Sequence, residues 1–275
     1  MKPMRSQVCS EALNVPQERA AQLYQVSSVR KALDLLTAFS RNSPEWSLSA
    51  LARQCGLPRS TAHNLLRTLQ SFDLIHQDPE HRAYRLGPRA LELGLAYAQS
   101  SQVLAQARPV LRQLVQLTRE TVKLGVLSND QVVVIAAVES THQLHTRGDI
   151  GTRWPLHSTS LGKAILSALP REEAEQLVKR RGMAKFTRGT VSSWKRLSDE
   201  LETIRSMRYA TDLEENECGV RCVAASIVDG LRGTVTAISV SGPKVRLEDD
   251  RLGELAKEVV AAAKRLESYS SLGES

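Results

Sequence analysis

The first residues along the chain that could act together chemically are Arg59, Ser60, Thr61, His63, Asn64 and Arg67, which follow Pro58 in the segment LPRSTAHNLLRTL. At about 100° per residue, Ser60, His63, Asn64 and Arg67 fall on one side of a helix, while Ala62, Leu65, Leu66, Leu69 and Phe72 fall on the other. One side packs, and the other is left to solvent. Arginine reads guanine and asparagine reads adenine in the major groove of duplex DNA, so the free side fits base recognition. Ser60 and Thr61, near the helix start, suit a backbone phosphate, and Arg82 and Arg85 in a following hairpin suit its neighbours. A solvated face on a protein-docking domain would show the same spacing.

Further along, two spacings suggest enzymes, and neither is complete. Ser160-Leu161-Gly162-Lys163 has the Ser-x-x-Lys form of an acyl-transfer nucleophile and base, but the S-D-N and K-T-G segments that accompany it are missing. Gly162-Lys163 also ends like a phosphate loop, yet His157 stands where the first glycine belongs and Ala164 where Ser or Thr belongs. Cys218 and Cys222, with His142, His145 or His157, begin a zinc set that has no second spaced pair, so no metal or other cofactor is expected. Asp212, Glu214, Glu215 and Glu217 form an acidic cluster that a solvated loop before the strand at 221 would explain. No nucleophile with a paired acid and base stands out, and this half reads as built to bind rather than to react.

The elements needed to position these groups follow from periodicity. Residues 1–24 mix Pro, Gln, Ser and charge without period and read as a mobile tail. A helix capped by Ser27 or Ser28 has Val29, Ala32, Leu33, Leu36 and Phe39 as its buried stripe. RNSPEW, residues 41–46, reads as a loop. A second helix in SLSALARQCG takes Ser47 or Ser49 as cap and stops at Gly56, and the third runs from Arg59 to about Phe72 with Pro58 at its mouth. Two short strands around Asp78-Pro79-Glu80 complete a winged helix-turn-helix over 25–87. A linker helix over 88–102 has Ala90, Leu91, Leu93, Gly94 and Leu95 as its apolar side. From 103 to 275, β-branched runs at 122–128, 132–138, 221–228 and 233–242, with turns at Asn129-Asp130 and Asp229-Gly230, alternate with helices near 103–119, 159–169, 171–181, 195–207 and 248–269. Strands with flanking helices make a ligand-sized α/β or α+β domain.

Composition agrees with this division. The 275 residues, 41% hydrophobic and 24% charged, suit a folded chain of about two domains. No apolar run reaches the roughly 18 residues of a membrane span, and the first residues have no secretory core, so a cytoplasmic location is expected. Four scattered cysteines do not suggest a disulfide framework. Of the formal charge of +7, residues 27–90 contribute nine basic and five acidic groups, which places most of the excess beside the candidate DNA-reading helix.

Four segments carry more than generic physics: SVRKALDLLTAF, LARQCGLPRSTAHNLLRTLQ, GTRWPLHSTSLGKAILSALP (151–170) and YATDLEENECGVRCVAASIVDGLRGTVTAISVSGP (209–243). In combination they resemble the IclR family of bacterial transcriptional regulators over about residues 26–268. The resemblance implies an α+β chain: an N-terminal winged helix-turn-helix, a linker helix, and a GAF-like effector domain with an antiparallel sheet and flanking helices. It also implies a homodimer or homotetramer on a double-stranded DNA operator, with a small organic acid in a pocket beside the sheet. By matching motif positions it implies Asp212, Cys222, Ser239 and Ser241 as polar pocket residues, with backbone amides at Ser160 and Leu161. Two departures stand out. Ser226 follows V-A-A where the family usually has Pro, and Ser160-Leu161 replaces a smaller pair.

Helix N-terminal amides, serine hydroxyls and a thiol suit reversible capture of a carboxylate. Beside such an anion, Asp212 must be protonated or must accept a hydrogen bond from a ligand hydroxyl, so a hydroxy or keto acid is expected. Two rival readings are an enzyme with a basic docking domain and a DNA-binding scaffold whose C-terminal domain only oligomerises.

Overall fold

A computed structural model describes residues 26–228 and 235–271. The expected tail, the Asp229-Gly230 turn and residues 233–234 lie outside the described residues. The chain forms two units, one ending at Tyr97 and the other beginning at Ala98.

In the first unit, α1 (Ser27–Thr37) precedes β1 (Glu45–Trp46), α2 (Leu48–Gln54), α3 (Arg59–Ser71), β2 (Ile75–Gln77) and β3 (Tyr84–Leu86), and α4 (Pro88–Ser100) runs across the division. The Ser47 hydroxyl caps α2 by accepting the Ala50 N–H at 3.2 Å, and Gly56, at φ +63°, turns the chain toward α3. Leu35, Leu51, Leu66, Ile75 and Tyr84 are buried in one cluster beneath the helices.

Several expectations for this unit are corrected. The loop expected at 41–46 contains β1, which pairs with β3 through Glu45 opposite Arg85 and Trp46 opposite Tyr84, so the wing has three strands. Neither Ser27 nor Ser28 caps α1, because the N-cap is Val26 and no side chain makes a capping bond. The buried side of α1 centres on Leu35, with Ala32 and Leu36 part-buried against the same cluster and Phe39 buried just past the helix end, while Val29 and Leu33 are exposed. α1 is apolar around more than one stripe, and packing chooses between them. Phe72 is the C-cap of α3, outside the helical repeat, and is 67% exposed. The apolar side expected of α4 does not form as one face: Leu93 lies about 200° around the helix from Leu91 and from Leu95, all three are exposed, and no residue of α4 is buried.

In the second unit a six-stranded antiparallel sheet has the order β6-β5-β4-β9-β8-β7. Its strands are β4 (Thr121–Ser128), β5 (Gln131–Val138), β6 (Arg153–Trp154), β7 (Ala210–Leu213), β8 (Val220–Val228) and β9 (Val235–Pro243). Alternation sorts the side chains between two faces. Val122, Leu124, Val223, Ile238 and Val240 pack under α5 (Gln102–Thr118) and α9 (Asp249–Ser271). On the opposite face Val132, Ala210, Ala224 and Ala237 meet α6 (Ser160–Ala168), α7 (Arg171–Arg181) and α8 (Trp194–Met207). Lys123, Ser239, Ser241 and Cys222 share that second face by register, because Lys123 pairs with Ser239 and Ser241 pairs with Cys222. β6 and β7 are too short to carry a periodic signal.

The start of α6 lies hard against the preceding segment. A Cβ on Gly162 would meet the Leu156 carbonyl oxygen at 2.4 Å, so only glycine lets this turn approach. Gly162→Ala should therefore shift the start of α6 and lower the melting temperature by several degrees, as checked by differential scanning calorimetry; an unchanged melting temperature would contradict the close approach.

Candidate functional site

The first candidate surface is built on α3. Pro58, Arg59, Ser60, His63, Asn64 and Arg67 are exposed, Thr61 is half-buried, and Ala62, Leu66 and Leu69 hold the opposite side in the core. Among the described residues, the side chains of Arg59, Ser60, His63, Asn64 and Arg67 make no hydrogen bond or ion pair, and the one side-chain bond to this stretch is from the Thr68 hydroxyl to the Asn64 carbonyl at 3.1 Å. The N-cap Pro58 supplies no capping side chain, and the first helical bond is the Ala62 N–H to the Pro58 carbonyl, at 3.0 Å. The amides of Arg59, Ser60 and Thr61 are thus left to an outside acceptor, the arrangement that suits phosphate.

The wing differs between its two arginines. Asp78 shapes the turn by accepting the Glu80 and His81 amides at 2.9 and 2.8 Å, and it pairs with Arg85 at 2.7 Å. Those bonds, with the backbone amide of His81 first, hold the Asp78 carboxyl below its ordinary value. Arg85 also faces Glu45 at 3.8 Å and so braces the wing. Arg82, at φ +51° on the tip, has no such partner among the described residues.

The second candidate lies in the C-terminal unit, where a cavity of about 650 Å³ opens on the α6 face of the sheet. Ser160, Leu161, Asp212, Cys222, Ser239 and Ser241 all line it. β8 and β9 bring Cys222 opposite Ser241, and β7 brings Asp212 opposite Cys222. The acidic cluster expected as a solvated loop is corrected here, since Asp212 lies on the edge strand and is buried with Glu215.

Each polar group has a defined state. Burial pushes the Asp212 carboxyl up to about 7, against the backbone amides of Glu215 and Asn216, which it accepts at 2.7 and 3.4 Å. Burial, and then Asp212 itself, pushes the Cys222 thiol up to about 12, so it stays a neutral hydrogen-bonding group beside Ser241 and Ser160. Ser239 Oγ is buried without a hydrogen-bond partner among the described residues. Thr159 caps α6 through the Gly162 N–H at 3.1 Å, which leaves the amides of Ser160 and Leu161 without a partner among the described residues. A buried hydroxyl and two helix amides with nothing to donate to make a donor-rich cup.

The enzymatic spacings dissolve into structure. Lys163 is fully buried and donates to Glu200 at 2.5 Å and Glu215 at 2.6 Å, so its ammonium is bound by two carboxylates rather than poised as a base for Ser160. His157 Nε2 donates to the Ala184 carbonyl oxygen at 2.9 Å and its ring stacks on Phe186, while Cys218 is exposed. Among the described residues, no group of three His, Cys, Asp or Glu side chains is arranged to hold a metal ion. The residues that sequence reasoning missed are Lys123 and Trp154, which line the cavity with the ammonium 5.9 Å from the ring centroid. The signal was a lone cation alternating with Val122 and Leu124 in a strand.

A winged helix-turn-helix unit joined to a sheet domain with a cavity of about 650 Å³ is the architecture of a DNA-binding regulator. Residues 95–268 match the family description "Bacterial transcriptional regulator IclR C-terminal", and residues 28–79 match "IclR helix-turn-helix domain". The acetate operon repressor of Salmonella typhimurium is 38% identical over 244 residues, covering 88% of this chain and 89% of its own. The transcriptional repressor IclR of Escherichia coli is 36% identical over the same shares. The chain belongs to the IclR family of transcriptional regulators. Its fold matches the crystal structure of an IclR regulator from Alicyclobacillus acidocaldarius with a TM-score of 0.81 at 23% identity, covering 90% of this chain and all of that one. It also matches an IclR homologue from Microbacterium hydrocarbonoxydans in complex with 4-hydroxybenzoate, at a TM-score of 0.75 and 21% identity over 89% and 99% of the two chains. No helix among the described residues is long and apolar enough to cross a membrane.

Proposed function

We propose that this DNA-binding transcriptional regulator reads an operator through α3 and changes its affinity when a small organic acid occupies the C-terminal cavity. The observation that carries the reading is the donor-rich cup: the free amides of Ser160 and Leu161 beside the unpartnered Ser239 hydroxyl, with Cys222 and Ser241 hydrogen-bonded alongside. A carboxylate accepts from such groups without reacting, and the raised Asp212 carboxyl is able to take up a proton beside it. The relative from Microbacterium hydrocarbonoxydans supports an organic acid as the ligand class.

On DNA, Arg59, Asn64 and Arg67 read base edges, Ser60, His63 and the α3 amides position the helix, and Arg82 reaches a flanking phosphate while Arg85 holds the wing in shape. A homodimer spaces two such helices roughly 34 Å apart on a pseudo-palindromic site. The exposed apolar residues Val29 and Leu33 of α1, and Leu91 and Leu95 of α4, suit contact with a second copy. Effector binding shifts operator affinity by about 1–3 kcal/mol.

The experiment is fluorescence anisotropy of labelled operator DNA, isolated by selection from random duplexes, with and without carboxylates found by thermal shift. A ligand that raises the melting temperature and changes operator affinity supports the reading; operator binding insensitive to every stabilising acid would leave a scaffold. In the same assay Arg59→Ala and Asn64→Ala should each lose about 1–3 kcal/mol of discrimination between operator and random DNA, whereas Arg82→Ala should weaken both equally and flatten the salt dependence. An unchanged operator-to-random ratio in both α3 variants would remove α3 from base reading.

A further inference from the structure

We infer that Lys123 is a specificity-determining residue of the cavity: its ammonium takes the acid group of the effector and makes the pocket select an organic anion over a neutral molecule of the same shape. This rests on the cavity being the effector site. Lys123 stands opposite Ser239 in the β4–β9 register and on the same face as Ser241 and Cys222. The titratable groups that act on it are Cys222, Glu217, Asp212 and Glu139, and Cys222 is itself hydrogen-bonded to Ser241 and Ser160. Lys123 lines the cavity together with Ser160, Asp212, Cys222, Ser239 and Ser241, its ammonium 5.9 Å from the Trp154 ring centroid.

Lys163 supplies the contrast within the same unit. Lys163 is fully buried with two carboxylates within 2.6 Å, whereas Lys123 is half-buried on the cavity wall, and its side chain makes no hydrogen bond or ion pair with a described residue and lies over the Trp154 ring. A cation drawn away from water costs free energy, and burial accordingly lowers the Lys123 pKa, although the charges of Cys222, Glu217, Asp212 and Glu139 act in the other direction without any of them pairing with it directly. Trp154 offsets part of that cost through its ring face without neutralising the charge. Nothing in the local packing requires a cation, because Val122 and Leu124, its neighbours in β4, already hold the opposite face of the strand in the core.

The donors around the cup also match one chemical group. The Ser160 and Leu161 amides, the Ser239 hydroxyl and the Lys123 ammonium all lack protein acceptors among the described residues, and a carboxylate offers roughly four lone-pair sites on two oxygens. Asp212, the cup's strongest acceptor, is turned to the backbone amides of Glu215 and Asn216. A primary amide presents two donors of its own where the cup already has donors, and it brings no charge to the ammonium. The cup therefore discriminates by charge as well as by hydrogen-bond direction.

The test is isothermal calorimetry on the full chain with sodium pyruvate, 2-hydroxybutyrate and 4-hydroxybenzoate, each beside its primary amide, for the natural protein, Lys123→Met and Lys123→Arg. At least one acid should bind the natural protein tenfold or more tightly than its amide. Lys123→Met should weaken that acid at least tenfold with little effect on the amide, and Lys123→Arg should restore most of the loss. Thermal melting serves as the folding control, and Lys123→Met should melt no lower than the natural protein because an unpaired cation has been replaced by an apolar chain. If the natural protein binds no acid, or binds acid and amide alike, the organic-acid reading of the cavity falls, and Lys123 with it. If it prefers the acid and Lys123→Met keeps that preference, only the assignment of Lys123 falls.

Discussion

Lys163→Ala should destabilise the C-terminal unit by about 3–5 kcal/mol, the range found when one member of a buried ion pair is removed. The side chain is fully buried, and its ammonium is the meeting point of Glu200 and Glu215. Glu215 dominates the effect. It is 7% exposed, its Oε2 has no partner among the described residues, and burial already raises its carboxyl above the ordinary value despite the lysine. Glu200 is partly exposed and is able to turn to water. Without the ammonium, Glu215 must either remain charged in a poor solvent or bind a proton, and both penalise folding.

The loss would also reach the cavity, since the triad ties α6 to α8 and to the turn after β7, and the α6 start carries the Ser160 and Leu161 amides. Urea unfolding at pH 7.5 measures the effect. The double variant Lys163→Met with Glu215→Gln removes both charges while keeping volume, and should recover at least half of the lost stability. A loss under about 1 kcal/mol for Lys163→Ala would show that the triad is not held together as a buried unit.

The parts of this molecule that were legible in the sequence are those in which one period dominates over many residues. α3 was readable because a buried side of Ala62, Leu66 and Leu69 opposes a polar side, and the long strands of the second unit because β-branched residues run between turn pairs such as Asn129-Asp130, both at positive φ. α1 was legible as a helix but not in its phase: Leu33, Leu35 and Leu36 are all apolar, and only packing selects Leu35 for the core. β1, β6 and β7 were not legible, because strands of two to four residues exist only by pairing with a neighbour distant in sequence. The same cause hid the setting of Asp212, whose acidic neighbours suggest water while β8 alongside buries it. Six cavity positions came from resemblance to a family and not from any period. Lys123 was invisible to both approaches, since its meaning depends on which charges fail to meet it.

Asp212 gives the second large effect, and its direction follows from burial. A carboxyl with a native pKa of about 7, against an ordinary value of 3.8, keeps its proton in the folded chain after the unfolded chain has released it. Its contribution therefore favours the folded state at low pH and is lost as pH rises from about 4 through 7, a fall on the order of 4 kcal/mol over the window. Asp212→Asn removes the titration while keeping a side-chain oxygen for the Glu215 amide that now binds Asp212 at 2.7 Å. Near pH 4.5 the variant and the natural protein should differ by less than about 1 kcal/mol, and at pH 8 the variant should be the more stable by a few kcal/mol. Urea midpoints at the two pH values decide it, and parallel pH profiles would refute a buried carboxyl that titrates near neutrality. The same group should signal the ligand, because an anion entering beside Asp212 raises its proton affinity further. Calorimetry of a bound carboxylate at pH 7.5 in phosphate and in Tris should then report uptake of a fraction of a proton, and Asp212→Asn should abolish that uptake.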